Sequence, residues 1–167
     1  MQINTRLDSA RLNFPWCSFP IIHEPIPRPP KTQRNKSLEL TDSTYLHIAP
    51  HENPMRQGPF TIETWFRATQ LHDWQSLIAN LYRGGFGIML NRDKLTVYLT
   101  GDNKKLIRLI APKRIKTQRW YHVATVYDPS SLRLYLNGRQ VAQTQAPKMW
   151  RSSTHPLTIG ARHSWQD

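Results

Sequence analysis

Cysteine and long apolar runs are the first things that this sequence lacks. Cys17 is the only cysteine among 167 residues, so an intrachain disulfide and a Cys-rich zinc site are both excluded. No segment approaches the roughly twenty consecutive apolar residues that a membrane-spanning helix needs. The first residues are polar and lack the charged start and apolar run of a secretory signal. The fold therefore has to be held together by a noncovalent core.

Acidic residues are also scarce. The chain has 11 Asp and Glu against 23 Lys and Arg, which leaves a formal charge of +12. Such an excess attracts polyanions, and charge alone does not distinguish nucleic acid from sulfated or uronic glycans or acidic lipid. Aromatic residues are plentiful, with six Trp, six Tyr and five Phe, and many of them stand in alternating runs. This pattern favours a β-rich globular protein over a disordered one.

Residues 119–145 carry the clearest pattern, and they read RWYHVATVYDPSSLRLYLNGRQVAQTQ. Residues 120–127 are rich in the aromatic and β-branched side chains that suit a pleated, half-buried strand. Residues 132–137 alternate apolar and polar side chains with a period of two, which is the period of a strand. Asp128 with Pro129 favours a turn before that strand, and Asn137-Gly138 favours a tight hairpin after it. The sequence therefore predicts a meander of three antiparallel strands.

The same residues resemble the signature of laminin G-like domains in the concanavalin A-like lectin/glucanase superfamily. In that family a W-x-H-V-A strand, a Y-D turn and an L-x-L-Y-x-N-G hairpin follow one another, as they do here. Segments 37–40 and 45–48 resemble the family's opening strands, and segments 60–66 and 156–160 resemble its F-T-I-E-x-W and L-x-I-G strands, all in the expected order. The resemblance covers about residues 37–162. It implies an all-β fold, an antiparallel two-sheet jelly-roll sandwich.

The resemblance also implies a role in recognition rather than in chemistry. The expected function is that of a non-catalytic glycan- or protein-binding or adhesion module, accessory to a larger surface or secreted protein. An extracellular or cell-surface location follows from the family, although the chain shows no signal peptide. A structural spacer without a small ligand and a binder of sulfated or acidic polysaccharide remain alternatives. The oligomeric state is not predicted.

Two regions are expected along the chain. Residues 1–36 hold six of the thirteen prolines and predict an extended, basic arm or linker. Residues 37–167 are the expected jelly-roll domain. Family members normally continue past the L-x-I-G strand with a closing strand, so the domain is expected to be incomplete at its C-terminal end and weakly stable alone.

Residues 71–81 have an ambiguous pattern. Their apolar positions suit one face of a helix. Their place before the Gly-rich stretch 83–87, together with the family resemblance, favours a strand over residues 75–80. The glycines of that stretch are expected to let the backbone turn tightly or approach a neighbouring segment.

The candidate ligand site is built on aromatic side chains. In domains of this family specificity lies in rim loops and in the concave sheet, where aromatic rings stack on sugars and polar groups fix the orientation. The candidate ligand-binding residues are Trp65, Trp74, Tyr82, Arg83 and Tyr98. Trp65 shares a strand face with polar residues, so a second layer of structure covering it is the alternative to a sugar platform.

A basic segment is the second candidate site, and residues 112–118 within it are expected to form a loop before the meander. Seven cations without an intervening acid form a candidate polyanion strip, namely Lys104, Lys105, Arg108, Lys113, Arg114, Lys116 and Arg119. Heparin-like glycan would suit it, whereas the lack of aromatics among residues 104–116 disfavours stacked nucleic acid. The alternative is a solvated face whose edge-strand lysines prevent sheet-to-sheet aggregation.

No catalytic residue, metal ligand or cofactor is predicted. Superfamily glucanases resemble one another in carboxylates spaced i, i+2 and i+5 on one strand, and no two acids of this chain stand at i, i+2. Carboxylates that meet only in the fold keep glycoside hydrolysis as an alternative. His122 has no nucleophile partner in the sequence, and a structural role is expected for it. Calcium at Asp73, Asp102, Asn103 and Asp128 stays open, although turn formation explains Asp102 and Asp128.

Overall fold

The computed structural model of this protein describes residues 2–4, 37–41, 44–53, 55 and 57–160, with only the backbone of residues 2–4 described. Twelve strands make up nearly all of the regular structure in these ranges, beside a single 3-10 turn at Pro50–Glu52. In chain order the strands are β1 (Gln2–Asn4), β2 (Leu38–Glu39), β3 (Leu46–Ile48), β4 (Phe60–Arg67), β5 (Gln75–Ala79), β6 (Phe86–Asn91), β7 (Lys94–Thr100), β8 (Leu106–Arg114), β9 (Trp120–Asp128), β10 (Ser131–Leu136), β11 (Arg139–Gln145) and β12 (Leu157–Ile159).

The strands form two antiparallel sheets. Sheet A has the order β11-β10-β9-β4-β1-β2, and sheet B has the order β3-β12-β5-β6-β7-β8. The two sheets do not close into a barrel, and the arrangement is that of a jelly-roll sandwich. The all-β prediction is confirmed.

The core lies between the sheets because the strands alternate inward and outward side chains. In β4 the buried Phe66 alternates with the exposed Glu63 and the half-buried Trp65, as the sequence period predicts. In β7 the inward residues are Leu95, Val97 and Leu99, while Thr96, Tyr98 and Thr100 point away from sheet A. Most of the stabilising burial thus comes from one continuous apolar cluster shared by both sheets.

An aromatic group ties the sheets together at one end of this core. The Phe60 ring from sheet A lies 5.6 Å from the Phe86 ring of sheet B and 5.3 Å from the Tyr127 ring. Trp150 meets Phe60 edge to face at 5.5 Å, a favoured geometry for aromatic pairs. The Trp150 Nε1–H donates to the carbonyl oxygen of Gly58 at 3.0 Å, so the indole is buried without losing its hydrogen bond. The segment after β11 is anchored by this contact.

The predicted three-stranded meander and the strand favoured over residues 75–80 are both confirmed. Strands β9, β10 and β11 lie side by side, with Leu132 opposite Tyr127 and Leu136 opposite Arg139 across the Asn137-Gly138 hairpin. Residues 75–79 form β5 rather than a helix, which agrees with the family resemblance. In both places the strand assignment rests on cross-strand pairing.

The predicted loop over residues 112–118 is wrong in part. Strand β8 runs on through Pro112 to Arg114, which pairs with Lys94 after a shift of register. A proline is tolerated there because β8 is an edge strand, so the missing N–H leaves no neighbouring strand without a donor. The loop therefore begins after Arg114 rather than at Pro112.

The two chain ends fall mostly outside the described residues. Of the predicted proline-rich arm only residues 2–4 are described, and they form β1 between β2 and β4. The expected absence of a closing strand concerns a region that lies beyond the described residues, which end at residue 160. Within the described ranges, no helix has the length and apolar character needed to cross a membrane.

Candidate functional site

A pocket opens on the face of sheet B that points away from sheet A. Its volume is about 650 Å³, within the range of small-ligand sites. We call it the outer pocket, and it is lined by Trp74, Leu81, Tyr82, Arg83, Gly84, Met89, Tyr98, Thr100, Lys104, Leu106 and Arg151. Strands β6 to β8 provide its floor, and four connecting segments provide its rim.

The period of two along β6 and β7 explains which residues form the floor. Met89 lies opposite Thr96 in the register, and Tyr98 lies opposite Gly87, so the large outward side chains alternate with small ones. Met89 is 1% exposed and Tyr98 is 6% exposed although both point away from the core. They are therefore covered from outside by the residues of the rim, which makes the floor apolar and well packed.

Aromatic rings form one wall of the outer pocket. The Trp74 ring lies 6.3 Å from the Tyr98 ring at an angle of 34°, and Trp74 keeps 48% of its surface exposed. Tyr82 packs against the His155 ring with centroids 3.8 Å apart. The Arg83 guanidinium lies 5.1 Å from the Tyr82 ring centroid, in cation–π range. A ligand with a flat apolar face can stack on this exposed aromatic surface.

Backbone hydrogen bonds between separate segments hold the rim. Gly85 N–H donates to the Arg151 carbonyl at 2.6 Å, and Arg151 N–H donates to the Thr100 carbonyl at 2.8 Å. Gly84 packs so closely that an added Cβ would lie 2.6 Å from the Ser152 carbonyl oxygen. The expectation that glycines here permit a close approach is confirmed.

Three residues of the rim have left-handed backbone conformations. The φ angles of Trp74, Arg83 and Lys104 are 61°, 48° and 63°. Such conformations cost non-glycine residues roughly 1–2 kcal/mol each, and they occur preferentially at ligand-binding sites and switches. The turn before Lys104 is closed by Lys104 N–H donating to the Gly101 carbonyl at 2.9 Å, so the surrounding hydrogen bonds hold the strained residue in place.

The structure brings four of the five candidate ligand residues together. Trp74, Tyr82, Arg83 and Tyr98 all line the outer pocket. Trp65 lies elsewhere, on the outer face of sheet A, where its ring is 5.1 Å from that of His122. The described residues place no second layer over Trp65, which is half-buried by its neighbours on the same sheet.

Sequence reasoning missed part of the outer pocket. Met89 and Thr100 share the outward parity of Tyr98, so the period of two was a usable signal for them. Leu106 likewise follows from the parity of β8. Arg151 had no such signal, because hydrogen bonds from a separate segment fix its position.

The candidate polyanion strip is spread along an edge strand. Lys104 lines the outer pocket, whereas Lys105 and Arg108 line a second groove of about 540 Å³ between β8 and the end of β11. Arg114 donates to the Asp93 carboxylate at 2.6 Å. The two ends of β8 lie roughly 26 Å apart at the rise of an extended strand.

The remaining strip residues, Lys113, Lys116 and Arg119, are exposed at the far end of β8 and beyond it. The seven cations therefore do not form one compact cluster.

His122 is occupied by structural contacts on the outer face of sheet A. Its Nε2 lies 3.3 Å from the Glu63 carboxylate, and Trp65 packs beside it. No hydroxyl or thiol nucleophile accompanies it among the contacts of the described residues. The arrangement offers packing and a hydrogen bond rather than a catalytic pair.

The loop carboxylates considered for calcium are used within the protein. The Asp128 carboxylate accepts hydrogen bonds from the backbone and hydroxyls of Ser130 and Ser131 and pairs with Arg133 at 2.7 Å. Burial alone would raise the pKa of Asp128, but the hydrogen bonds from the two serines lower it to about 2. Asp73 pairs with Arg92 at 3.1 Å. Within the described ranges, no group of three or more His, Cys, Asp and Glu side chains could hold a metal ion.

Comparison with known proteins identifies similar folds. The laminin G family model, described as the concanavalin A-like lectin/glucanases superfamily, matches residues 40–167. No curated protein shows significant sequence similarity to the chain.

Many solved structures are similar to much of this chain, and three serve as examples. The receptor binding domain of botulinum neurotoxin D is 13% identical with a TM-score of 0.59, and the match covers 77% of this chain and 36% of that one. The binding domain of Paraclostridial Mosquitocidal Protein 1 is 18% identical with a TM-score of 0.54, with 71% and 35% covered. Domains LG4-5 of the mouse laminin alpha1 chain are 12% identical with a TM-score of 0.55, with 66% and 30% covered. The chain thus spans about a third of each, and at these identities the likeness shows the fold alone.

Proposed function

Because this chain belongs to the laminin G-like family of the concanavalin A-like lectin/glucanase superfamily, we propose that it is a non-catalytic recognition module that binds a glycan in the outer pocket. The observation that carries the proposal is the exposed Trp74 ring beside Tyr98 and above an apolar floor. A sugar ring presents an apolar face to such a surface, while polar groups at the rim orient its hydroxyls. The preformed rim supports affinity, since less conformational freedom is lost on binding.

The composition of the outer pocket supports binding over catalysis. None of the residues that line it is Asp, Glu or His, so the lining offers no carboxyl group or imidazole for general acid–base chemistry. Hydrolysis of a glycosidic bond needs two carboxyl groups flanking the bond. An accessory role in a larger surface or secreted protein is part of the proposal, and the family membership supports it.

Two tryptophans on opposite sheets provide a matched test. Trp74→Ala removes the aromatic wall of the outer pocket, and Trp65→Ala removes a half-buried indole from the outer face of sheet A. A glycan array with the purified chain is expected to show bound sugars that Trp74→Ala loses and Trp65→Ala keeps. Binding that both variants retain, or that only Trp65→Ala loses, would refute the outer pocket as the site. An array without any bound sugar supports the spacer or a protein ligand instead.

The basic strip is a second candidate site, favoured by the exposure of Lys113, Lys116 and Arg119. Salt separates it from the outer pocket, because exposed charge–charge attraction is screened within about 10 Å at 0.1 M salt. Binding of sulfated glycan that collapses with salt and survives Trp74→Ala would assign recognition to the strip. Loss of the same binding in Trp74→Ala would assign it to the outer pocket.

A further inference from the structure

Three cations surround the outer pocket, and each comes from a different segment of the chain. Arg83 belongs to the connection between β5 and β6, Lys104 to the turn between β7 and β8, and Arg151 to the segment after β11. All three are exposed at the rim, and no acidic side chain lines the same cavity. The fold thus collects positive charge around a site whose floor is apolar.

No carboxylate of the described residues forms an ion pair with these three cations. The four ion pairs found there join Arg92 to Asp73, Arg114 to Asp93, Arg133 to Asp128 and His122 to Glu63. The nearest acids in sequence are engaged locally, since Asp73 binds Arg92 and an Asp102 oxygen accepts from the Asn103 N–H at 2.9 Å. The charge of the rim is therefore available to a ligand, and a cavity with apolar walls focuses it.

Arg83 is positioned to bind an oxyanion. Its guanidinium packs on the Tyr82 ring, which limits the orientations of the side chain, and its backbone is held in a left-handed turn. A planar guanidinium donates two parallel hydrogen bonds to a carboxylate or sulfate, which makes the contact both stronger and directional. Lys104 adds a second charge with three freely rotating donors.

We propose that the outer pocket selects an acidic sugar, with the apolar ring face on Trp74 and the carboxylate or sulfate group on the cations Arg83, Lys104 and Arg151. This inference rests on the proposed function and names the chemical class of its ligand. Three like charges around one cavity repel each other, and an anionic ligand removes that repulsion while a neutral one does not. The three cations of the rim therefore account for a preference for anionic over neutral ligands.

The test compares oligosaccharides that differ only in charge. The probes are a glucuronic acid oligosaccharide, the same oligosaccharide after reduction of its carboxyl groups to the glucose form, and a sulfated derivative of that glucose form. Titration calorimetry at low and high salt is expected to show that at least one charged probe binds about tenfold or more tightly than the glucose form, with a smaller ratio at high salt. The charged probe that binds more tightly shows whether the pocket prefers a carboxylate or a sulfate.

A cation outside both candidate sites serves as the matched control. Arg83→Gln and Lys104→Gln are expected to reduce the charged-to-neutral ratio at least severalfold, because each removes a cation from the rim. Arg139→Gln on β11, which lies outside the outer pocket and the basic strip, is expected to keep the ratio. All three residues are exposed, so the variants should unfold at the same denaturant concentration as the parent.

The outcomes separate this inference from the proposed function. Equal affinity for charged and neutral probes, with binding lost in Trp74→Ala, would overturn the acidic-sugar inference and leave the glycan site standing. A charge preference that Arg83→Gln and Lys104→Gln both retain would also overturn the inference. Absence of binding by every probe on the array and in solution would overturn the proposed function and the inference with it.

Discussion

The indole of Trp74 lies 6.3 Å from the phenol ring of Tyr98, and the two residues differ sharply in exposure. Tyr98 is 6% exposed on the sheet floor, whereas Trp74 is 48% exposed on a backbone with φ of 61°. Because about half of the Trp74 side chain stays exposed, burial stabilises it less than it stabilises a core residue. Under the proposed function, this exposed indole provides the stacking surface for the ligand, and its backbone conformation costs stability.

Substitution of Trp74 by glycine is therefore expected to separate binding from stability. Glycine adopts the left-handed region without strain, which offsets part of the packing on Tyr98 that is lost with the indole, so Trp74→Gly should change the free energy of unfolding by less than about 1 kcal/mol. Glycan affinity should fall at least about tenfold, since the stacking surface is gone. Urea unfolding and array binding measure the two quantities.

Trp65→Gly is the matched control for that variant. Trp65 occupies the interior of β4 in an extended strand and packs on His122, so glycine there should lower the free energy of unfolding by about 1 kcal/mol or more. Equal destabilisation by the two substitutions would mean that packing on Tyr98, rather than a ligand, accounts for the conformation of Trp74.

The floor of the outer pocket and most of the fold could be predicted from the sequence because both follow a period of two. The alternation that buries Leu95, Val97 and Leu99 also points Tyr98 outward, so an aromatic on the opposite parity was a reasonable ligand candidate. The same argument selected Trp65, which has the same parity in β4 but lies in the other sheet. Parity identifies an outward residue, and it does not tell which sheet bears the cavity.

The rest of the outer pocket depends on contacts between distant segments. Arg151 reaches the rim because its backbone bonds to Gly85 and Thr100, and no local pattern around residue 151 predicts those partners. The extent of β8 was missed for a related reason, since Pro112 ends a strand unless that strand lies at an edge. Edge position is a property of the whole sheet, which the sequence of one strand does not contain.

Acid should remove a stabilising contribution of Asp128. Its pKa is lowered from 3.8 to about 2 in the folded protein, so its carboxylate stabilises the fold fully above about pH 4 and loses this effect as the pH falls toward 2. The contribution is about 2 kcal/mol at most, because the side chain is 31% exposed and solvent weakens its interactions.

Asp128→Ala tests this assignment at the turn before β10. The variant should be about 1–2 kcal/mol less stable than the parent at pH 7, and the difference should shrink to near zero at pH 2, as measured by urea unfolding across the pH range. Asp102→Ala, an exposed turn carboxylate with one local hydrogen bond, is the comparison and should change less. A stability difference for Asp128→Ala that stays constant from pH 7 to pH 2 would contradict the role of the carboxylate charge.

The Tyr127 hydroxyl is expected to stabilise the sandwich by anchoring the segment after β11. It donates to the Pro147 carbonyl at 2.9 Å from a side chain that is 1% exposed, and burial raises the pKa of its phenol. Tyr127→Phe should lower the free energy of unfolding by about 1–2 kcal/mol because the acceptor is left without its donor. Tyr135→Phe, at a half-buried position on the outer face of sheet A, should change it by less than about 0.5 kcal/mol. Thermal and urea unfolding of both variants decide the matter, and equal effects would contradict the anchoring role.

Gly84 is expected to control the shape of the outer pocket through its close contact with the segment 151–152. An added Cβ would lie 2.6 Å from the Ser152 carbonyl and 3.1 Å from the Arg151 carbonyl, and backbone atoms cannot move aside cheaply. Gly84→Ala should therefore lower the free energy of unfolding by about 1–3 kcal/mol. It should also weaken glycan binding, because it separates Arg83 from Arg151 at the rim.

Gly138→Ala distinguishes pocket geometry from general strain. Gly138 has a φ of 77° in the β10–β11 hairpin, and a Cβ there would meet nothing within 4 Å. The substitution should lower stability by about 1 kcal/mol through its left-handed backbone alone and leave glycan affinity unchanged. Binding that Gly84→Ala retains, at a protein concentration where the variant is fully folded, would show that the two segments of the rim need not meet for recognition. Binding that Gly138→Ala also loses would show that lowered stability, rather than a displaced rim, explains the effect at Gly84.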